Sequence, residues 1–408
     1  MADNLPSNPS PAEPSPPSSA GGGPAIPTEQ LLPPVEEPSG RFLLQLFVVP
    51  MIIVAAVVGL WLLFNSLAQR DQLAPEDIVA RLRSQNPSRF QVANDLADML
   101  RMPERYPNVK PNAELAAALG TLLDEMVEAG DDGDSSVSMR TILCGFLGEF
   151  SVDDGLPALV NAAANDPEPT VQRKAINAIA VLGQTFADHT ETKTVTDEDG
   201  KEEEVVVSNP QPLEADGLAE VLIASINQPD DDLLRSETAF TLGVLANVPG
   251  ADARYTDELI KTLDDFYPDA RYNAANGLAR AGNVAAADTV VEMLDLDAIA
   301  GSLAGVQPFS DRQSAASVAA ARAAKRDRIL INAVKSAQAL HEHHPDAKFP
   351  KIEAALAKLI EDAPQQSDKT ITVKDAEGAK ESRFAAGQVA PTLITAAQQV
   401  LKELQGAK

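Results

Sequence analysis

One helical pattern recurs along this chain, and self-similarity of that kind limits the possible folds more than any composition can. Asp166-Pro167-Glu168-Pro169-Thr170 leads into Val171–Gly183 (VQRKAINAIAVLG), and Asp264-Asp265 precede Ala270–Gly282 (ARYNAANGLARAG). Leu234–Leu245 (LRSETAFTLGVL) and Met139–Gly148 (MRTILCGFLG) fit the same frame. Within each copy an apolar residue and those four, seven or eight, and eleven positions later share one helix face, which makes a buried stripe. Small members such as Ala178 and Ala274 let neighbouring helices approach closely, while Leu182, Leu242 and Leu278 supply bulk. The aspartates ahead of the helices are expected to cap their first N–H groups and to face the positive dipole end. A terminal glycine, Gly183 or Gly282, is expected to take the left-handed cap.

The starts at Met139, Val171, Leu234 and Ala270 lie 32, 63 and 36 residues apart. The wide gap reads as one repeat plus an insertion, and weaker copies occur at Phe90–Leu100 and Ile329–Leu340. The pattern resembles HEAT repeats, in particular the HEAT-like repeats of the phycobilisome-lyase type. The resemblance covers most of the chain after Asp71, with the specific motif confined to the central copies. It implies an all-α, right-handed solenoid of helical hairpins over 71–365, with four family-like repeats and a degenerate one at each end. Its framework positions would be Asp166, Val171, Arg173, Ala178, Leu182, Gly183, Leu234, Arg235, Leu242, Ala270, Arg271, Ala274, Leu278 and Gly282. In such a family Arg173, Arg235 and Arg271 would form an inter-repeat ladder with the preceding acids Asp166, Asp230 and Asp265.

Composition agrees with helix-on-helix packing: 44% of residues are hydrophobic but only 4% aromatic, so Ala, Leu, Val and Ile dominate the apolar mass. Two stretches break the helical rhythm. Thr192–Ser208 places β-branched runs on either side of Asp199-Gly200, a hairpin signal, and marks an acidic insertion over 188–212. Thr370–Phe384 repeats the idea around Glu377-Gly378, so 366–408 reads as a second hairpin followed by a C-terminal capping helix.

The other end of the chain is different in kind. Residues 1–40 are rich in Pro, Ser and Gly and contain no Lys or Arg, which marks a disordered tail. No residue between Arg41 and Arg70 is charged, and Phe42–Phe64 is apolar apart from Gln45, Pro50 and Gly59. That exceeds the ~20 residues a transmembrane helix requires, so 41–69 is expected to cross a bilayer once. Its length and its long, acidic, Pro-rich leader set it apart from a cleaved signal peptide. Arg70, Arg81, Arg83 and Arg89 on the C-terminal flank, against Arg41 alone on the other, place the repeats in the cytoplasm under the positive-inside rule. The expected location is therefore the cell membrane.

Catalytic signatures are missing: the chain has no phosphate-binding Gly loop of the P-loop or dinucleotide type and no Gly-x-Ser-x-Gly elbow. Thirty-three basic against sixty acidic residues give −27, which works against nucleic-acid binding. A single cysteine, Cys144, excludes a disulfide framework and reads as a core residue. His341-Glu342-His343-His344 holds three of the four histidines, and His341 and His344 would share a helix face. Too few ligands remain to complete a metal site, and imidazoles before Pro345 suit a helix C-terminus. One HEAT-like enzyme, deoxyhypusine hydroxylase, uses several His-Glu pairs; here His341-Glu342 is the sole pair, so the resemblance does not carry that activity over. Arg322, Lys325, Arg326 and Arg328 spread round one helix and read as a solvated surface. The expectation is a non-catalytic, cofactor-free scaffold that binds a protein through second-helix positions on its concave face; the alternative is a HEAT-like lyase or metal-dependent enzyme.

Overall fold

The computed structural model describes residues 48–62, 75–84, 86–196, 202–304, 306, 315–364, 370–374, 381–385 and 387–406, divided between two units, Met1–Gln72 and Leu73–Lys408. In the first unit, 48–62 forms helix α1, and every one of its residues is exposed. Among the described residues no helix is long and apolar enough to cross a membrane. The rest of the expected span 41–69 lies outside the described residues, as does the tail 1–40.

The second unit is an array of helical hairpins. Its helices are α2 (Pro75–Arg83), α3 (Arg89–Arg101), α4 (Ala113–Ala129), α5 (Asp134–Glu149), α6 (Leu156–Asn165), α7 (Pro169–Ala187), α8 (Leu218–Ile226) and α9 (Asp232–Leu245). There follow α10 (Ala253–Thr262), α11 (Pro268–Arg280), α12 (Ala287–Leu294), α13 (Ala300–Ala304), α14 (Ala315–His343), α15 (Pro350–Asp362) and α16 (Pro391–Gly406). Each second helix packs beside the next, in the order α3, α5, α7, α9, α11, α14; α2, α4, α6, α8 and α10 form the other row. The stripe read from the sequence is the core: Val171, Ala175, Ile179 and Leu182 are all fully buried, as are Met139, Leu143 and Phe150. Burying such side chains stabilises the array by roughly 1.5–3 kcal/mol for each large one.

Two antiparallel hairpins interrupt the helices. Strands β1 (Thr190–Thr196) and β2 (Glu202–Ser208) pair from Thr190 opposite Ser208 to Thr196 opposite Glu202, between α7 and α8. Strands β3 (Thr370–Lys374) and β4 (Glu381–Ala385) pair from Thr370 opposite Ala385 to Lys374 opposite Glu381, between α15 and α16.

Three local expectations are corrected. Asp166 and Asp265 do not cap α7 and α11; Pro169 and Pro268 open those helices, with Glu168 and Tyr267 at the cap positions. Asp166 instead accepts from the Glu168 N–H at 2.9 Å and Asp265 from the Tyr267 N–H at 2.8 Å, turns just ahead of the helix. Ahead of the framework helices α7, α9 and α11, it is Asp231 that acts as a side-chain cap, accepting from the Leu234 N–H at 2.9 Å. Gly183 lies inside α7 rather than at its end, where a Cβ would sit 2.5 Å from Leu245 Cδ2. Gly282, with φ +72°, does take the left-handed conformation after α11.

The third correction concerns the ladder, which runs forward rather than back. Arg140 Nε donates to Asp166 at 2.7 Å, Arg173 Nη1 to Asp231 at 3.0 Å, and Arg235 Nε to Asp265 at 2.8 Å. Arg271 Nη2 donates to Glu292 at 2.5 Å, while its Nη1 keeps the expected link back to Asp265, through that residue's main-chain carbonyl at 2.6 Å. Each arginine therefore binds the acid of the next repeat, and Asp231, not Asp230, is the acid used. Arg140 and Asp166 are fully buried, so this pair fixes geometry more than it adds stability.

Candidate interaction surface

The second-row helices turn one face toward the other row and leave one face open. Exposed or half-exposed side chains on that open face follow helical spacing: Asn273, Asn276 and Arg280 on α11, and Arg328, Asn332 and Lys335 on α14. Phe240 of α9, 43% exposed, completes the set. Between α9, α11 and α14 these residues enclose two adjoining hollows of about 290 and 260 Å³. Phe240, Asn273, Asn276 and Asn332 border both.

The groove is cationic although the chain carries −27. The one carboxylate that lines it among the described residues, Asp269, is already engaged: it accepts from Lys325 Nζ at 2.7 Å, from Tyr267 Oη at 3.2 Å and from Ser302 Oγ. Arg280 donates to the Gly243 carbonyl at 2.8 Å, and burial by neighbouring atoms holds its pKa below the ordinary arginine value although the residue reaches solvent. Among the described residues no carboxylate pairs with Arg280, Arg328 or Lys335. The amides are half used. Asn273 Nδ2 donates to the Ser236 carbonyl at 2.9 Å, and Asn276 Oδ1 accepts from Ser336 Oγ at 3.0 Å. Both residues line the hollows, and the other end of each amide is able to donate or accept.

Other hollows differ in character. One of about 350 Å³ lies between α3, α5 and α7 and is lined by Ala97, Leu100, Ile142 and Phe146 with Arg101 and Lys174. Another, of about 450 Å³, opens between the loops before α8 and α10. Two of its four lining carboxylates, Glu220 and Asp252, are held by Arg254 at 2.9 and 2.6 Å.

The residues singled out for metal chemistry are occupied otherwise. His344 Nε2 lies 2.6 Å from the Gly282 carbonyl and His343 Nε2 3.0 Å from the Arg280 carbonyl, so both rings close the C-terminal end of α11. His341 Nδ1 is buried without a hydrogen-bond partner. Among the described residues no group of three or more His, Cys, Asp or Glu could hold a metal ion. Cys144 is fully buried in α5, and burial pushes its thiol up to about 12, which makes it a poor nucleophile.

The basic run on α14 is not the solvated face its sequence suggests. Arg326, 1% exposed, donates to the Gly387 and Gln388 carbonyls at 2.9 and 2.8 Å and so ties the segment before α16 to α14. Lys325 is spent on Asp269, and Arg322 Nη2 donates to the Val306 carbonyl at 3.2 Å. Arg328 alone of the four is exposed. The groove it borders was not legible as a site, because its members come from three helices with no shared motif.

Fold and groove together define a helical-repeat protein with a cation-lined groove on its second row. No family model matches the chain, and no curated protein matches it. Among solved structures it is similar to the X-ray structure of YibA from Escherichia coli, at 13% identity and a TM-score of 0.34, over 84% of this chain and 96% of that one. A superposition that loose adds nothing to the fold, which rests on the hairpins described above.

Proposed function

We propose that the chain is a non-catalytic scaffold that holds a protein partner on the open face of its second-row helices. The observation that carries this reading is the groove between α9, α11 and α14, where Arg328 and Lys335 have no carboxylate partner among the described residues of a strongly acidic protein. Unsatisfied charge and a half-exposed Phe240 at one place are what a partner would cover. Repeat arrays present extended surfaces of this sort because each hairpin contributes the same helix face.

The proposal includes attachment of the scaffold to a bilayer through 41–69. Its support is the absence of charge over 42–69 and the exposure of every side chain of α1. The arginines that follow the run favour a cytoplasmic array on a single-pass protein.

Crosslinking in intact membranes, followed by mild-detergent purification and mass spectrometry, tests the scaffold. A near-stoichiometric partner that also binds a variant lacking 1–72 is the expected result; no partner above background would overturn the reading. Alkaline carbonate washing tests the anchor separately: full-length chain is expected to stay with the membranes and the truncated variant to be released.

A further inference from the structure

We infer that the groove between α9, α11 and α14 binds an extended, acidic segment of a partner protein, with an apolar side chain of that segment lying on Phe240. The inference rests on the scaffold reading and specifies its partner by chemistry. Three features of the groove converge on this occupant.

The first is charge. Arg280 on one wall and Arg328 and Lys335 on the other offer cationic groups that no described carboxylate neutralises, while Asp269 is held by Lys325. The chain as a whole carries −27, so an acidic segment is attracted where unneutralised cations gather, as they do here.

The second is the row of side-chain amides. Asn273, Asn276 and Asn332 stand between the cations, and the first two are anchored through only one end, to Ser236 and Ser336. An extended backbone offers N–H and C=O groups in alternation, and a carboxamide can donate to one and accept from the other. A strand lying across the groove would therefore have its main chain paired as well as its side chains.

The third is dimension. Two helix-to-helix spacings of roughly 8–10 Å each separate α9 from α14. At about 3.3 Å per residue, some five or six extended residues cross that distance. Phe240 borders both hollows at the α9 end of such a path and suits one apolar residue next to Asp or Glu.

Fluorescence anisotropy on the purified full-length chain in detergent micelles tests the assignment. The probe is a labelled peptide of about twelve residues, alternating Glu and Ser around a central Leu. Its counterpart carries Lys in place of Glu. The acidic peptide is expected to bind and to weaken as salt rises, and the lysine peptide not to bind. The exposed pair Arg328→Glu with Lys335→Glu should weaken binding by about tenfold or more, and Phe240→Ala by about threefold to tenfold. Lys351→Glu, outside the groove's lining, should leave binding unchanged. Circular dichroism and melting of each variant distinguish loss of the surface from loss of the fold.

Equal binding of the lysine peptide, or unaltered binding by the double reversal, would overturn the inference. So would full displacement by inorganic phosphate at matched ionic strength, which would make the groove an anion site indifferent to peptide. A crosslinked partner that remains bound to the double reversal would leave the scaffold standing and remove only this surface. Loss of that partner on the same reversal, with acidic-peptide binding lost in parallel, is the supporting outcome.

Discussion

The seam between α9 and α11 and the seam between α11 and α14 share a helix yet are built differently. At the first, Gly243 and Gly277 meet: a Cβ added to Gly277 would lie 2.4 Å from Gly243 Cα. Backbone touches backbone, and Arg235, 5% exposed in its side chain, closes the seam on Asp265. At the second, no glycine pair occurs. Polar links hold it: Lys325 to Asp269, Ser336 to Asn276, and the His343 and His344 rings to the carbonyls ending α11. Between those links the helices leave the hollows that border Phe240. A repeat array thus gains a groove where its repeat rule lapses, because long polar side chains cannot fill space as interlocked small residues do.

The comparison is most sharply broken by removing the acid from the tight seam. Asp265→Ala leaves the nearly buried Arg235 guanidinium without its main partner and should cost about 3 kcal/mol by denaturant titration. Replacing both partners, with Arg235→Met added, should restore part of that loss, since the charge is then gone. Gly277→Ala comes next, at about 2–3 kcal/mol, because a single methyl has no room against Gly243. The equivalent enlargement at Asn276→Gln, on the open seam, should cost well under 1 kcal/mol. Equal costs at 276 and 277 would mean the two seams are alike in solution. Lys325→Met, on the open seam, should cost about 1 kcal/mol, because Asp269 keeps its bonds from Tyr267 and Ser302.

Much of the tight seam could be read from the residues alone. Leu234, Leu242, Ala270, Ala274 and Leu278 announce a stripe through helical spacing, and all five are buried. The direction of the ladder could not be read, because it depends on how far one hairpin advances past the last. Arg140 escaped notice for the same reason: its acid, Asp166, belongs to the following repeat. The open seam was less legible still. Arg326 sits in a run of cations that looks solvated, yet it is buried by a segment returning from Gly387, sixty-one positions later. No local pattern encodes such a return, nor the approach of Phe240 to Asn332 across two helices.

The smallest expected effect is also the one whose sign separates the α9–α11 seam from the α7–α9 face beside it. Burial raises the Glu237 pKa, an effect that Arg173 and Lys174 oppose and Asp231 reinforces. Burial also tends to raise that of Asp265, but the Arg235 hydrogen bonds, the Tyr267 N–H and the charges of Arg235 and Arg271 together bring it below the ordinary aspartate value. A raised carboxyl favours the folded state while protonated, so Glu237 stabilises most below its unfolded pKa and this contribution is lost as pH climbs through the folded value. A lowered carboxyl does the opposite: Asp265 stabilises above its unfolded pKa, and that contribution disappears as pH falls through the lower folded value. Glu237→Gln should therefore make the chain slightly more stable at pH 7, with the gain shrinking as pH approaches 4. Asp265→Asn should make it less stable at pH 7, with the deficit shrinking only below that range. Melting curves of the two variants between pH 3 and 8 should diverge from wild type in opposite directions; parallel shifts would mean that Glu237 is as well paired as Asp265, and the α7–α9 face would then be closed like the seam beside it.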